Sequence, residues 1–257
     1  MLDVALTPTD SGFVPPRDTI IAYKLFRLDK RYPGQLFPLF VNADRPVNMG
    51  VWYEAEVGER AGEKVKSKLG PLAFRPGWHG GDSPMATHIG DLSPKQRAAR
   101  AKIDQLRKVE FEKQLASTDI TPDMGREKFL KDLKKRINAQ LPYPKNVTKP
   151  SLRPSNQIWA EVEFPSDVDW QQEANRRGMG KSGKFSHKYA HITDQIPRGG
   201  HYRYKTNPQM TGNWIIGGAM RVNRVLSDAE VDRINQLMGT KDLPRVTPLD
   251  IAKHGFK

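Results

Sequence analysis

Trp78, His79, Asp82 and His88 fall within eleven residues of one another, in a stretch broken by Gly77, Gly80, Gly81 and Pro84. Imidazoles titrate near neutrality and can move protons or bind metal, and a carboxylate could complete a ligand set. An indole offers a flat apolar surface, and glycines let the backbone approach a ligand closely. The chain has no cysteine, so any metal would rest on His and carboxylate alone. The spacing of His79, Asp82 and His88 follows no established metal motif, and no metal is expected. Two readings remain: a ligand pocket in which Trp78 and His88 contact a small molecule, or a scaffold in which the imidazoles cap turns around a buried Trp78.

Three further sets carry chemistry. Glu161 and Glu163 alternate with Ala160, Val162 and Phe164 and so project from one strand face. Paired there, they could position a base or clamp a ribose, although the solvated face of a half-exposed strand has the same composition. Arg27 ends a strand-like run and could grip a phosphate bidentately or pair with a surface acid. His201-Tyr202-Arg203-Tyr204-Lys205 joins stacking surfaces to cations, the combination that binds single-stranded nucleic acid, with Tyr202 and Tyr204 stacking and Arg203 and Lys205 on phosphate. The rival is an amphipathic strand with a basic outer side.

The elements that position these residues are legible as periods. Thr19–Leu28 is β-branched and aromatic, with Tyr23, Leu25 and Arg27 on one face and Lys24, Phe26 and Leu28 on the other. Leu36–Val41, Gly50–Val57, Ile158–Phe164, His201–Thr206 and Asn213–Val222 are predicted as further extended segments. The opening stretch from Arg75 to Pro84 is predicted to be too broken for regular structure. From Ser93 the period becomes helical: Ser93, Pro94 and Gln96 form a capping box, and Lys95–Ala116 is rich in helix formers. Thr121-Pro122 opens a second helix with Leu130, Leu133, Ile137 and Leu141 as its apolar stripe. Between Pro94 and Lys149 stand 15 Lys and Arg against 7 Asp and Glu, so this hairpin holds +8 of the chain's +13. Its Arg97, Arg100, Lys131, Lys134 and Lys135 are candidate phosphate contacts. Ser227-Asp228-Ala229-Glu230 caps a last helix whose Val231, Ile234 and Leu237 are predicted to face the core, and Gly239 ends it.

The expected fold class is α+β: a twisted, mainly antiparallel β core with a helical-hairpin insertion and a C-terminal helix. Residues 1–18, broken by Pro8, Gly12, Pro15 and Pro16, read as an extended arm, 19–92 and 156–240 as the core, 93–155 as the basic insertion with its Pro-rich return, and 241–257 as a tail. A net charge of +13 in 257 residues favours polyanionic partners, nucleic acid first among them. No run approaches the roughly 18 apolar residues of a membrane span, and residues 1–18 carry no secretory pattern, so no membrane partner is expected and a cytoplasmic or virion-associated location is.

Tyr23-Lys24-Leu25-Phe26-Arg27, Arg75-Pro76-Gly77-Trp78-His79, Trp159-Ala160-Glu161-Val162-Glu163 and Gly212-Asn213-Trp214-Ile215-Ile216 with Arg224-Val225-Leu226 give the chain a resemblance. Over residues 20–90 and 156–230 it resembles uncharacterised proteins of bacteriophages and mobile elements, and the hairpin lies outside the match. The resemblance brings no activity, but implies a phage accessory role, with phage structural proteins as further partners. The strand order also resembles an ADP-ribosyltransferase core, through Arg27 on the first strand and a glycine-rich loop around Trp78. That likeness implies NAD as cofactor, Arg27 and His79 at phosphate or ribose, Trp78 against nicotinamide, and a catalytic glutamate. The family places that glutamate on a late strand, where this chain has Asn213 beside Trp214, so Glu161 or Glu163 would have to serve. Three expectations follow: a nucleic-acid-associating accessory protein, an NAD-using transferase, or a virion or assembly component.

Overall fold

The computed structural model describes residues 14–56, 60–61, 64–65, 72–73, 77–118, 125–178, 196–205 and 211–256. Arg75, Pro76, the second helix's expected start at Thr121-Pro122 and most of the first 18 residues lie outside these. The chain divides into two compact units, residues 1–86 with 155–257, and residues 87–154.

In chain order the strands of the first unit are β1 (Thr19–Arg27), β2 (Trp52–Glu54), β3 (Arg60–Ala61), β4 (Lys64–Val65), β5 (Leu72–Ala73), β6 (Trp78–Gly81), β7 (Gln157–Pro165), β8 (Val168–Asp169), β9 (Gly200–Tyr204), β10 (Trp214–Gly217) and β11 (Ala219–Val225). β3, β4 and β5 make a small separate sheet. The other eight run β2-β11-β7-β1-β6-β10-β9-β8, antiparallel at every pairing but β8 with β9. With a short helix, α3 (Gln171–Gly178), and a later one, α4 (Asp228–Leu237), the unit is α+β with a twisted sheet.

β1 and β7 pair along their whole length and form the spine. Strict alternation sets which sides meet: Ile20 stands opposite Phe164, Ala22 opposite Val162 and Phe26 opposite Ile158. These residues join Tyr53, Trp78, Ile215, Met220 and Val222 in the main core. Four strand steps separate β2 from β6, about 19 Å in a flat sheet. Yet the Trp78 Nε1–H donates to the Tyr53 carbonyl at 2.9 Å, and the Ala55 N–H to the Gly218 carbonyl at 2.8 Å. The sheet therefore curls on itself, and its concave side holds the core.

The curl explains why Asn213–Val222 is not the single strand its composition predicts. Gly218 alone joins β10 to β11, which lie four places apart in the sheet. A Cβ at Gly218 would overlap the Pro197 carbonyl oxygen, so only glycine lets the chain pass there. The predicted strand over Leu36–Val41 is reduced to two isolated bridges, Arg27 with Phe37 and Leu36 with Val47, while Leu36 and Phe37 serve the core. Conversely, the stretch expected to be irregular supplies β6, because Trp78–Gly81 fits between β1 and β10 and completes their ladders. In α4 the Ser227–Glu230 capping box forms as expected, and Val231 is buried. Leu237, however, is 77% exposed, and Asn235 turns inward instead, donating to the Pro84 carbonyl at 3.1 Å.

The second unit is the hairpin. α1 (Pro94–Ala116) opens on the Ser93–Gln96 capping box, and α2 (Arg126–Gln140) opens at Gly125, whose φ of 54° is a left-handed turn that no side chain favours. Leu133 and Ile137 are its buried residues. The unit begins at Thr87 rather than at the cap because Asp91 bridges Leu152 and accepts the Ser151 N–H, tying the segment before α1 to the return chain. Among the described residues no helix is long and apolar enough to cross a membrane.

Candidate functional site

The face of β1 and β7 turned away from the core carries Tyr23, Leu25 and Arg27 beside Glu161 and Glu163. Arg27 is opposite Gln157 and Ile21 is opposite Glu163, so Arg27 and Glu163 stand six residues apart along the ladder, about 20 Å. The Arg27 guanidinium is also committed. It donates to the Ala43 carbonyl at 2.7 Å, pairs with Asp29 at 3.4 Å and lies 4.9 Å from the Phe37 ring centre. Glu163 accepts from Arg221 at 2.5 Å and from the Asn223 amide at 2.9 Å, and Glu161 from Arg224 at 3.1 Å. Each expected carboxylate is thus held in an ion pair, and the four residues named for catalysis do not gather. Tyr23, given no chemical role by the sequence, lies between Glu161 and Gly81 in the ladder. Burial, and then the charge of Glu161, raise its phenol's pKa against a lowering by Arg224.

Trp78 is a core residue, 9% exposed, and its indole presents no open face. His79, beside it, shares the outer side of the sheet with Ile216. Asp82 holds the turn before β10: it accepts the Asn213 N–H at 2.9 Å and the Asn213 amide at 2.6 Å, with Arg203 at 3.6 Å. His88 belongs to the second unit. Among the described residues no three of His, Asp and Glu are grouped to hold a metal ion.

Tyr202 and Tyr204 are not the open stacking surfaces that the sequence suggests. They are 0% and 7% exposed and pack with Ala174, Ile196 and Ile216, so a base could reach them only by displacing α3 and the core behind it. Alternation puts His201 and Arg203 on the opposite side of β9. His201 Nδ1 lies 2.9 Å from the Pro165 carbonyl, and desolvation lowers this ring's pKa. Arg203 keeps 42% of its side chain exposed, and Lys205, one residue past β9, is partly buried.

Lys24 is the residue that sequence reasoning passed over. It takes a core-side position between Ala22 and Phe26, level with Ala160 across the ladder. Its Nζ donates to the His79 carbonyl at 2.8 Å and lies 5.5 Å and 5.7 Å from the ring centres of Trp78 and Phe26. Desolvation lowers its pKa to about 8, with no charged group on β1, β6 or β7 contributing. The only advance signal was a lysine on the apolar side of an alternating strand. Holding the charge there costs about 3 kcal/mol below pH 8, since a tenfold loss of proton affinity is worth about 1.4 kcal/mol. Lys24→Met is therefore expected to stabilise the chain by about 2 kcal/mol at pH 7, after loss of the hydrogen bond to His79. The sign follows from linkage: between about 8 and 10.5 the unfolded chain binds the extra proton, so wild-type stability rises with pH there and the variant's advantage disappears. Urea unfolding of both proteins at pH 7 and pH 10.5 measures it.

The hairpin's cations divide by what they touch. Arg97 donates to the Leu92 carbonyl at 2.7 Å. Arg100 and Arg107 lie 4.5 Å and 3.9 Å from the Tyr143 ring centre, Arg107 donates twice to the Leu141 carbonyl, and the Tyr143 hydroxyl donates to Asp104. Arg97 and Arg100 thus fasten α1 to the segments that enter and leave the hairpin. Lys128, Lys131, Lys134 and Lys135 of α2 are all exposed, and among the described residues none is in an ion pair. Steps of three and four residues from Lys128 to Lys131 to Lys135 put them on one helix face, with Lys134 beside it, over about 10 Å of axis. This face opposes the stripe of Leu133 and Ile137 and is the most concentrated array of uncommitted cations on one described element.

No family model matches the chain, and no curated protein or solved structure matches it.

Proposed function

We propose that the chain associates with nucleic acid through the lysine face of α2, as an accessory protein of a phage or mobile element. The observation that carries this reading is the division just described: among the described residues Lys128, Lys131, Lys134 and Lys135 are exposed and outside any ion pair, whereas Arg97, Arg100 and Arg107 of α1 are spent on structure. Four phosphate contacts to duplex DNA release counterions with a slope of about 3.6 in log K against log salt. Fluorescence anisotropy with labelled duplex DNA, single-stranded DNA and RNA between about 50 and 200 mM salt tests it. The expected result is binding that weakens steeply as salt rises; absent or salt-independent binding to all three would overturn it.

A second reading, attachment to a virion or assembly partner, draws on Leu106 and Val109 of α1, which stand one turn apart and are 53% and 52% exposed. Stable co-purification with a particle protein, at salt that abolishes nucleic-acid binding, would favour it. The transferase reading has no such support, since Arg27 and the two glutamates are engaged elsewhere and Trp78 is enclosed.

A further inference from the structure

We propose that α1 packs against α1 of a second copy of this chain, antiparallel, about a two-fold axis level with Arg107. The face that does so is one the fold leaves uncovered. α1 runs for 23 residues without fully burying one of them, although helices in folded proteins draw most of their stability from packing. Its partly buried residues, Ile103, Arg107 and Gln114 among them, lie on the side from which Arg107 reaches the Leu141 carbonyl just after α2. The other side carries Ala98, Lys102, Gln105, Val109, Glu112 and Ala116, all exposed. Steps of four and three residues alternate along this set, the spacing of a heptad seam that faces a single partner helix over its whole length. Leu106, also exposed, borders the seam at its middle.

A second copy is the occupant because the seam is complementary to itself. A two-fold interface sets residue i against j and j against i. Turned about Arg107, the seam sets Ala98 against Ala116, Gln105 against Val109 and Lys102 against Glu112 of the second chain, and each pair occurs twice. Leu106, one residue from the axis, meets its own copy. Lys102 is in no other ion pair among the described residues, and Glu112 has only Lys108 at 3.9 Å. A parallel pair would instead set Lys102 against Lys102 and Glu112 against Glu112, so the charges select the antiparallel order. The seam is about 27 Å long, and a strip of that length buries roughly 1,000 Å² in total, the low end of specific interfaces. With alanine at both ends, a Kd on the order of 10 µM is expected. The lysine face of α2 takes no part, since it lies opposite Leu133 and Ile137, and the dimer does not depend on nucleic acid.

Sedimentation velocity of the full-length chain, freed of nucleic acid, tests it between about 1 and 200 µM in about 0.3 M salt, which screens the repulsion between two chains of +13. The expected result is monomer at the lowest concentration and dimer at the highest. Lys102→Glu or Glu112→Lys alone is expected to weaken association about tenfold, and the double variant to regain it. A change that merely disturbed the helix would not be rescued by the second substitution. The chain has no cysteine, so introduced thiols report the order of the helices. With a short bis-maleimide, a mixture of Ala98→Cys and Ala116→Cys chains is expected to cross-link. Neither variant alone does so, because each thiol lies about 27 Å from its own copy. Cross-linking of either variant with itself as fast as the mixture, or failure of the double reversal to restore association, would overturn the proposal. So would monomer at every concentration, which would leave Leu106 and Val109 to a particle protein.

Discussion

Phe164→Ala is expected to cost about 3 to 5 kcal/mol, the range for deleting a buried ring from a core that cannot collapse around the gap. Phe164 is fully buried on β7, yet its ring is touched from strands that are not its neighbours. A Cβ built on Gly217 of β10 would lie 2.8 Å from its Cγ, and one on Gly80 of β6 would lie 3.1 Å from its Cζ. The ring therefore fills the inside of the curl, and two glycines across from it make the room. Strands closed by hydrogen bonds on both sides cannot move in to fill a void, so little of the loss is recovered. The reverse change, Gly217→Ala, forces the same ring aside and costs about 1 to 3 kcal/mol. Urea unfolding measures both, with the midpoint falling and the slope unchanged. A loss under about 1 kcal/mol for Phe164→Ala would mean that the sheet is open at this point.

What the sequence made legible was local. Alternation in Thr19–Leu28 and Ile158–Phe164 named the two sides of β1 and β7 correctly, and two capping boxes placed the starts of α1 and α4. These are short-range facts, set by neighbours two to four residues away. The curl is not of that kind. That Gly218 separates two strands four places apart depends on Pro197, twenty-one residues earlier.

The same limit governed the candidate site. Alternation shows that Tyr202 and Tyr204 share a face but not which face is inward; a stacking surface and a core surface are spelled with the same residues, and α3 with Ile196 decided for the core. Trp78 took the scaffold reading rather than the ligand-pocket one, and the sequence could not choose between them, since the Tyr53 carbonyl that takes its N–H comes from an edge strand brought round by the curl. Arg97 and Arg100 read as phosphate ligands because nothing in α1 reveals that Leu92 and Tyr143 would occupy them. The α2 lysines were easier: Leu133 and Ile137 define the buried stripe, and a helix face opposite its stripe is solvated whatever else the chain does.

That difference in legibility is also what makes the lysine face testable. A chain of net charge +13 will attract any polyanion weakly through its overall field, so binding alone does not identify a contact surface. Two triple variants with the same change in net charge separate the cases. One is Lys131→Glu, Lys134→Glu and Lys135→Glu on α2; the other is Lys30→Glu, Arg233→Glu and Lys241→Glu, all exposed positions of the first unit. If α2 holds the phosphates, its variant loses three contacts. Its salt slope then falls by about 2.7, and its affinity for duplex DNA at about 0.1 M salt falls on the order of a hundredfold. The first-unit variant shifts only the long-range attraction, and its slope stays within about one unit of wild type because no contacted phosphate is given up. Equal losses in the two variants would reduce the interaction to net charge. All six side chains lie at the surface, so the variants are expected to keep the wild-type circular dichroism spectrum, and their stability to within about 0.5 kcal/mol. A drop in affinity at unchanged stability therefore belongs to the interface rather than to the fold.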